Sequence, residues 1–110
     1  MTSQTYYFLA ASQEFLQSEP LQEVLEERTR HYQEQGKAVD FYYVIQPAFL
    51  GSPALKPIAA RLPEERAAVV STDLDFIRWL KIRLTLVEMG EFVAPSNEIA
   101  DPLASEVANP

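Results

Sequence analysis

Apolar positions recur along this chain in two rhythms, and the rhythm changes mark the elements. Residues Thr5 to Ala11 carry Tyr6, Tyr7, Phe8 and Leu9 in one short run, which predicts a central strand with apolar side chains on both faces. Ser18 then stands as a candidate N-cap, with Glu19 and Glu23 near the positive end of a helix dipole and Pro20 in the first turn. Leu21, Val24, Leu25 and Tyr32 share one face at helical spacing, and Gly36 with Lys37 supplies a stop, so a helix is predicted over roughly 19–35. Val39, Phe41, Tyr43 and Ile45 alternate with Asp40, Tyr42 and Val44, the pattern of a second strand. Four prolines and a glycine between Gln46 and Glu65 predict a long loop with one short helical turn around Ala54 to Ala60. Arg66 to Ser71 reads as a third strand. Thr72, with Asp75 three residues on, opens a second helix over Asp73 to about Val87, which Gly90 breaks. Glu91 to Ala94 completes the series as a short fourth strand.

That order predicts an α+β domain over residues 1–95: an antiparallel sheet of about four strands, with two main helices packed on one face in a ferredoxin-like topology. The other sheet face is expected to be partly open. Residues 96–110 hold three acids, two prolines and no base. Too few apolar groups remain there to offset the entropy of ordering, so a disordered acidic tail is predicted.

Composition narrows the chemistry. The 110 residues are 47% hydrophobic and include one His and no Cys, which excludes a disulfide scaffold, a thiol nucleophile and a thiolate metal site. The net charge of −7 argues against nucleic acid as a partner, since affinity for phosphate needs clustered bases. Part of that acidity belongs to the end of the chain, because nine bases face twelve acids before Glu91. The apolar run Tyr6 to Ala11 lacks a charged leader, and no run reaches the roughly 18–20 apolar residues of a membrane span. The chain is therefore expected in an aqueous compartment, without direct membrane insertion, meeting membranes only through a partner.

Catalytic constellations are not evident. Glu27 and His31 lie four apart, but di-iron bundles use Glu-x-x-His pairs from two helices, so an exposed His31 is expected. Three isolated glycines make no phosphate loop, and neither Ser12 nor Ser71 sits in a Gly-x-Ser-x-Gly elbow. The second predicted helix is more informative. At about 100° per residue, Phe76, Leu80, Leu84 and Val87 face the core, while Arg78, Lys81, Thr85 and Glu88 share a polar arc. Trp79, Ile82 and Leu86 add an apolar flank, and Arg83 lies on the apolar side, where it must be paired, snorkelled or awaiting a partner. Two readings stand evenly: an internal ion pair with Asp40, or an interaction patch of Arg83, Asp40 and nearby aromatics. Phe41, Tyr42 and Tyr43 are open in the same way: each taken alone is more readily a core residue, while alternation along a strand leaves room for one of them to stay exposed.

The wording of several segments adds to the pattern. Pro20–Arg30 (PLQEVLEERTR), Tyr32–Gln35, Asp40-Phe41, Pro47–Leu50, Val70–Thr72, Phe76–Leu84 (FIRWLKIRL) and Gly90–Phe92 occur in register across roughly residues 5–96. Together they resemble a family of cyanobacterial and plastid proteins first named as hypothetical chloroplast open reading frame fifty-four. The resemblance implies a non-catalytic accessory subunit of the aerobic magnesium-protoporphyrin IX monomethyl ester oxidative cyclase of chlorophyll biosynthesis. It assigns the redox chemistry to a separate di-iron catalytic subunit, which the small protein binds and stabilises, and it places no cofactor or metal on this chain. By position, Asp40, Phe41 and Arg83 match family residues implicated in contact with that subunit. The implied location is cytoplasmic, peripheral to thylakoid or other internal membranes through the partner, or the plastid stroma in algae and plants. The alternative reading is a small-ligand carrier or regulatory module, with a tetrapyrrole held by the aromatic sheet face or the 46–65 loop.

Overall fold

Strand and helix propensities place the elements close to where the pattern puts them. In the computed structural model, which describes residues 3–84 and 86–106, the elements are β1 (Gln4–Ser12), α1 (Gln13–Leu16), α2 (Glu19–Glu34), β2 (Phe41–Ile45), α3 (Lys56–Ala59), β3 (Arg66–Ser71), α4 (Leu74–Arg83) and β4 (Glu88–Ala94). Two 3-10 turns, Ala48–Gly51 and Pro53–Leu55, precede α3. One sheet has the order β2-β3-β1-β4, and every neighbouring pair is antiparallel. β1 and β2 therefore run the same way with β3 between them, and β3 and β4 run the same way with β1 between them. Each strand-helix-strand unit is split by a strand of the other.

Alternation along the strands sends odd-numbered residues of β1 and β3 to one face and even-numbered residues to the other. Leu9, Ala11, Ala67 and Val69 meet Leu21 and Leu25 of α2 and Phe76, Ile77 and Leu80 of α4. Phe8, Ala10, Ala68 and Val70 lie on the opposite face, which is covered rather than open: Phe49, Leu50 and Leu55 from the 46–65 segment pack there with Phe92 and Ile99. The expected loop is thus the lid of a second apolar layer.

The predicted disordered tail is likewise corrected for residues 96–106. Ile99 is buried, and Leu103 packs against the same layer. Ala48 N–H donates to Ala104 O at 2.9 Å, Glu106 N–H donates to Gln46 O at 2.7 Å, and Ser105 bonds the Ile45 carbonyl. A few apolar side chains suffice because the partner surface is already built and the backbone bonds are shared with the turn at Pro47. Residues 107–110 of that prediction lie outside the described residues.

Two further boundaries differ. α4 stops at Arg83, and Leu84 takes an extended conformation (φ −115°, ψ 131°), so Val87 reaches the core from the connection to β4 rather than from a helix. Thr85, expected on the helix's polar arc, lies outside the described residues. Gly90 is not a helix stop but a strand residue opposite Phe8. A Cβ there would sit 2.7 Å from the Phe8 ring and 2.8 Å from an Ile58 methyl, so only glycine lets that ring close over β4.

Candidate functional site

α2 and α4 lie side by side on the sheet, and a groove of about 630 Å³ runs between them, lined by Val24, Phe76 and Trp79 and rimmed by Glu23, Asp75 and Arg83. Its floor begins with a row of rings. Phe41 on β2 packs edge-on to Tyr32 of α2 (centroids 6.4 Å) and against Phe76 of α4 (5.3 Å), and Phe76 in turn stacks on Trp79 (6.3 Å). The row forms because β2 delivers Phe41 to the helix face while helical spacing brings Phe76 and Trp79 onto adjoining parts of α4.

Two guanidinium groups lie on that row. Arg28 covers Phe76 at 3.9 Å from the ring centroid and Tyr32 at 4.9 Å. It also donates to the Tyr32 hydroxyl at 2.7 Å and to Asp73 Oδ2 at 3.1 Å. Tyr32 passes its own proton toward Asp40, whose carboxylate oxygens lie 3.1 and 3.2 Å away. A continuous chain of polar contacts thus links Asp40, Tyr32, Arg28 and Asp73 across β2, α2 and the start of α4. Asp73 is the N-cap of α4, its carboxylate accepting from the backbone N–H groups of Asp75 and Phe76. Ser71 fastens the other end by donating to the Asp40 carbonyl at 2.9 Å. Burial, reinforced by the hydrogen bond to Asp40, holds the Tyr32 phenol above its ordinary pKa of 10.0, against the opposing pull of Arg28.

The three residues singled out in the sequence occupy different positions relative to this network. Asp40 is half-buried and bound to Tyr32, and Phe41 is buried within the ring row rather than offered to solvent. Arg83 is exposed, with its guanidinium 4.2 Å over the Trp79 ring. The ion pairs among the described residues are Arg28–Asp73, Arg30–Glu27 and Arg61–Glu88, so Asp40 and Arg83 do not pair. The residue that joins Asp40 to α4 is Arg28, which the sequence pattern does not single out. Its spacing four before Tyr32 placed the two on one face of α2, the only signal available. His31 is exposed at the groove's edge. Among the described residues, no three His, Asp or Glu side chains gather in a way that could hold a metal ion. No described helix is long and apolar enough to cross a membrane.

Residues 4–94 match the family model described as Ycf54 protein. A curated Ycf54-like protein of a Synechocystis species is 55% identical over 102 residues, covering 92% of this chain and 77% of the relative. A chloroplastic Ycf54 protein of Arabidopsis thaliana is 38% identical over 96 residues, covering 86% of this chain and 44% of that one. Among solved structures, a Nostoc protein superposes with a TM-score of 0.91 at 55% identity, covering 97% of this chain and all of its own. The Synechocystis Ycf54 structure gives 0.90 at 51% identity, over 96% of this chain and 100% of that one. The sequence and the fold lead to the same place: this chain belongs to the Ycf54 family.

Proposed function

We propose that the protein is a non-catalytic accessory subunit that docks on the di-iron catalytic subunit of the magnesium-protoporphyrin IX monomethyl ester cyclase and supports its accumulation. The observation that carries this reading is Arg83: an exposed guanidinium stacked on a half-exposed Trp79, at the mouth of an apolar groove, with no carboxylate paired to it among the described residues. Arginine and tryptophan so placed are the residue types that dominate binding energy at protein interfaces. Asp40 and Phe41 act from behind. Phe41 fixes the ring row on which Trp79 rests, and Asp40 fixes Arg28 through Tyr32, so all three residues serve one surface in different ways.

The test is co-purification with the catalytic subunit. Arg83→Ala is expected to weaken it by at least about tenfold while the isolated protein's melting temperature stays nearly unchanged, because the side chain is exposed. Undiminished co-purification of that variant would remove Arg83 from the interface and this reading with it. A tetrapyrrole carrier is the competing reading, favoured by a groove volume within the range of small-molecule sites. Saturable quenching of Trp79 fluorescence by the pigment precursor at micromolar concentration would support the carrier instead.

A further inference from the structure

α4 presents a third side that neither the core nor the groove uses. At about 100° per residue, Phe76, Ile77 and Leu80 define the buried side, and Trp79 with Arg83 forms the shoulder toward α2. Opposite the buried side stand Arg78 and Ile82, both exposed and Ile82 84% accessible, with exposed Lys81 on the flank next to Ile77, where its ammonium donates to the Val87 carbonyl at 3.4 Å. Just past the helix end, Leu86 is 87% accessible. It does so with a φ of +61°, a left-handed conformation that residues with a Cβ seldom take. From Phe76 to Val87 the chain has three bases and no acid, in a protein whose net charge is −7.

Helix-dipole complementarity explains Lys81 and Arg83 in the last turn of α4. It does not explain two aliphatic side chains held almost wholly in water, one of them on a strained backbone. Neither side chain is of the residue types, Trp, Tyr and Arg, that dominate protein hot spots, and leucine is under-represented among them. Protruding aliphatic tips on a side that carries Arg78, with Lys81 on its flank, Asp75 two turns back and Glu88 already paired to Arg61, suit an anionic lipid surface, where the apolar groups enter the acyl boundary and the cations meet headgroup phosphates. We propose that the outer side of α4 and the following turn form a peripheral contact for anionic phospholipid bilayers, independent of any protein partner. Contact there leaves the Trp79–Arg83 shoulder and the groove accessible from the α2 side, so the two surfaces can be occupied together.

Vesicle co-sedimentation with the full chain tests this. Wild type is expected to pellet with phosphatidylglycerol-containing vesicles at low salt, and to remain in solution with pure phosphatidylcholine vesicles or at high salt. Replacing both Arg78 and Lys81 by Gln should lower partitioning by about fivefold per charge removed. Ile82→Ser combined with Leu86→Gly should abolish it while the melting temperature does not fall, because glycine accepts the left-handed conformation that leucine resists. Failure of wild type to bind anionic vesicles, or binding that survives both sets of substitutions, overturns the proposal. Conversion of a dimeric wild type to monomer by Ile82→Ser would reassign the side to self-association. Arg83→Ala read in co-purification is a separate measurement, so the docking reading and this one can fail independently.

Discussion

The two faces of the sheet are both buried, but by different means. The face under α2 and α4 is covered by regular helices and carries a polar chain from Asp40 through Tyr32 and Arg28 to Asp73 beside its apolar core. The opposite face is covered by turns, the short α3 and residues 96–106, and its interior is a cluster of rings and aliphatics: Phe8 lies 4.8 Å from Phe49, and Phe49 stacks on Phe92 at 4.4 Å. One layer is a scaffold with a polar surface feature built into it. The other is chiefly ballast, and it leaves the helix side free to present the groove.

Phe49→Ala puts that difference to its hardest test. If the irregular cover were a loose lid, truncating Phe49 would cost little. Because Phe49 is 2% accessible and touches rings from β1 and β4, we expect a loss of about 3–5 kcal/mol in denaturant unfolding. A cost comparable to a surface substitution would show that the second layer does not belong to the cooperative core.

The faces also differ in how well they could be read from sequence. β3 was legible because Ala67 to Val70 is a short apolar run with polar neighbours on both sides, and α2 because its stripe keeps helical spacing from Leu21 to Tyr32. The cover of the other face was not legible: Phe49, Leu50, Leu55 and Ile99 follow no period, since turns place side chains by tertiary contact rather than by repeat. The end of α4 is ambiguous in the sequence for a related reason. Leu84 and Val87 continue the helical spacing of Phe76 and Leu80, yet Val87 is drawn in as the chain enters β4, and the same spacing describes either path. At the candidate site, the sequence pointed to Arg83 and Asp40 as awkward residues but could not decide between pairing and separation. That depends on Arg28, which sits in the charged run Glu26 to Arg30 and becomes distinctive only when α4 brings Phe76 beneath it.

Arg28→Ala therefore sharpens the comparison at intermediate cost. It removes the donor to Tyr32 and Asp73 together with the cover over Phe76. Charged hydrogen bonds of this kind contribute about 1.5–3 kcal/mol when buried, and partial exposure of both Arg28 and Asp73 places the expected loss at the lower end. Arg28→Lys should recover only part of it, because an ammonium can serve Tyr32 and Asp73 from one nitrogen but cannot lie flat on the Phe76 ring as the guanidinium plane does. Full recovery by lysine would mean that charge alone, rather than the stacked geometry, fixes α2 to α4.

The smallest expected effect is alkaline, and it arises on the helix side. Burial raises the Tyr32 phenol, with Asp40 adding to the shift and Arg28 opposing it. Burial likewise raises Tyr43, which packs against the same layer, with Gln17 opposing. A phenol with a folded pKa above its unfolded value binds its proton more tightly in the folded state. The resulting stability is fully present below the ordinary value of 10.0 and is lost as pH rises through the folded values. Denaturant midpoints measured from neutral into alkaline pH should therefore fall, and Tyr32→Phe with Tyr43→Phe should flatten that fall. Tyr32→Phe also removes the link between Arg28 and Asp40, so its neutral-pH stability drops even as its alkaline slope shallows, whereas Tyr43→Phe changes the slope alone. An unchanged slope in the double variant would place the alkaline weakness outside the helix-covered face.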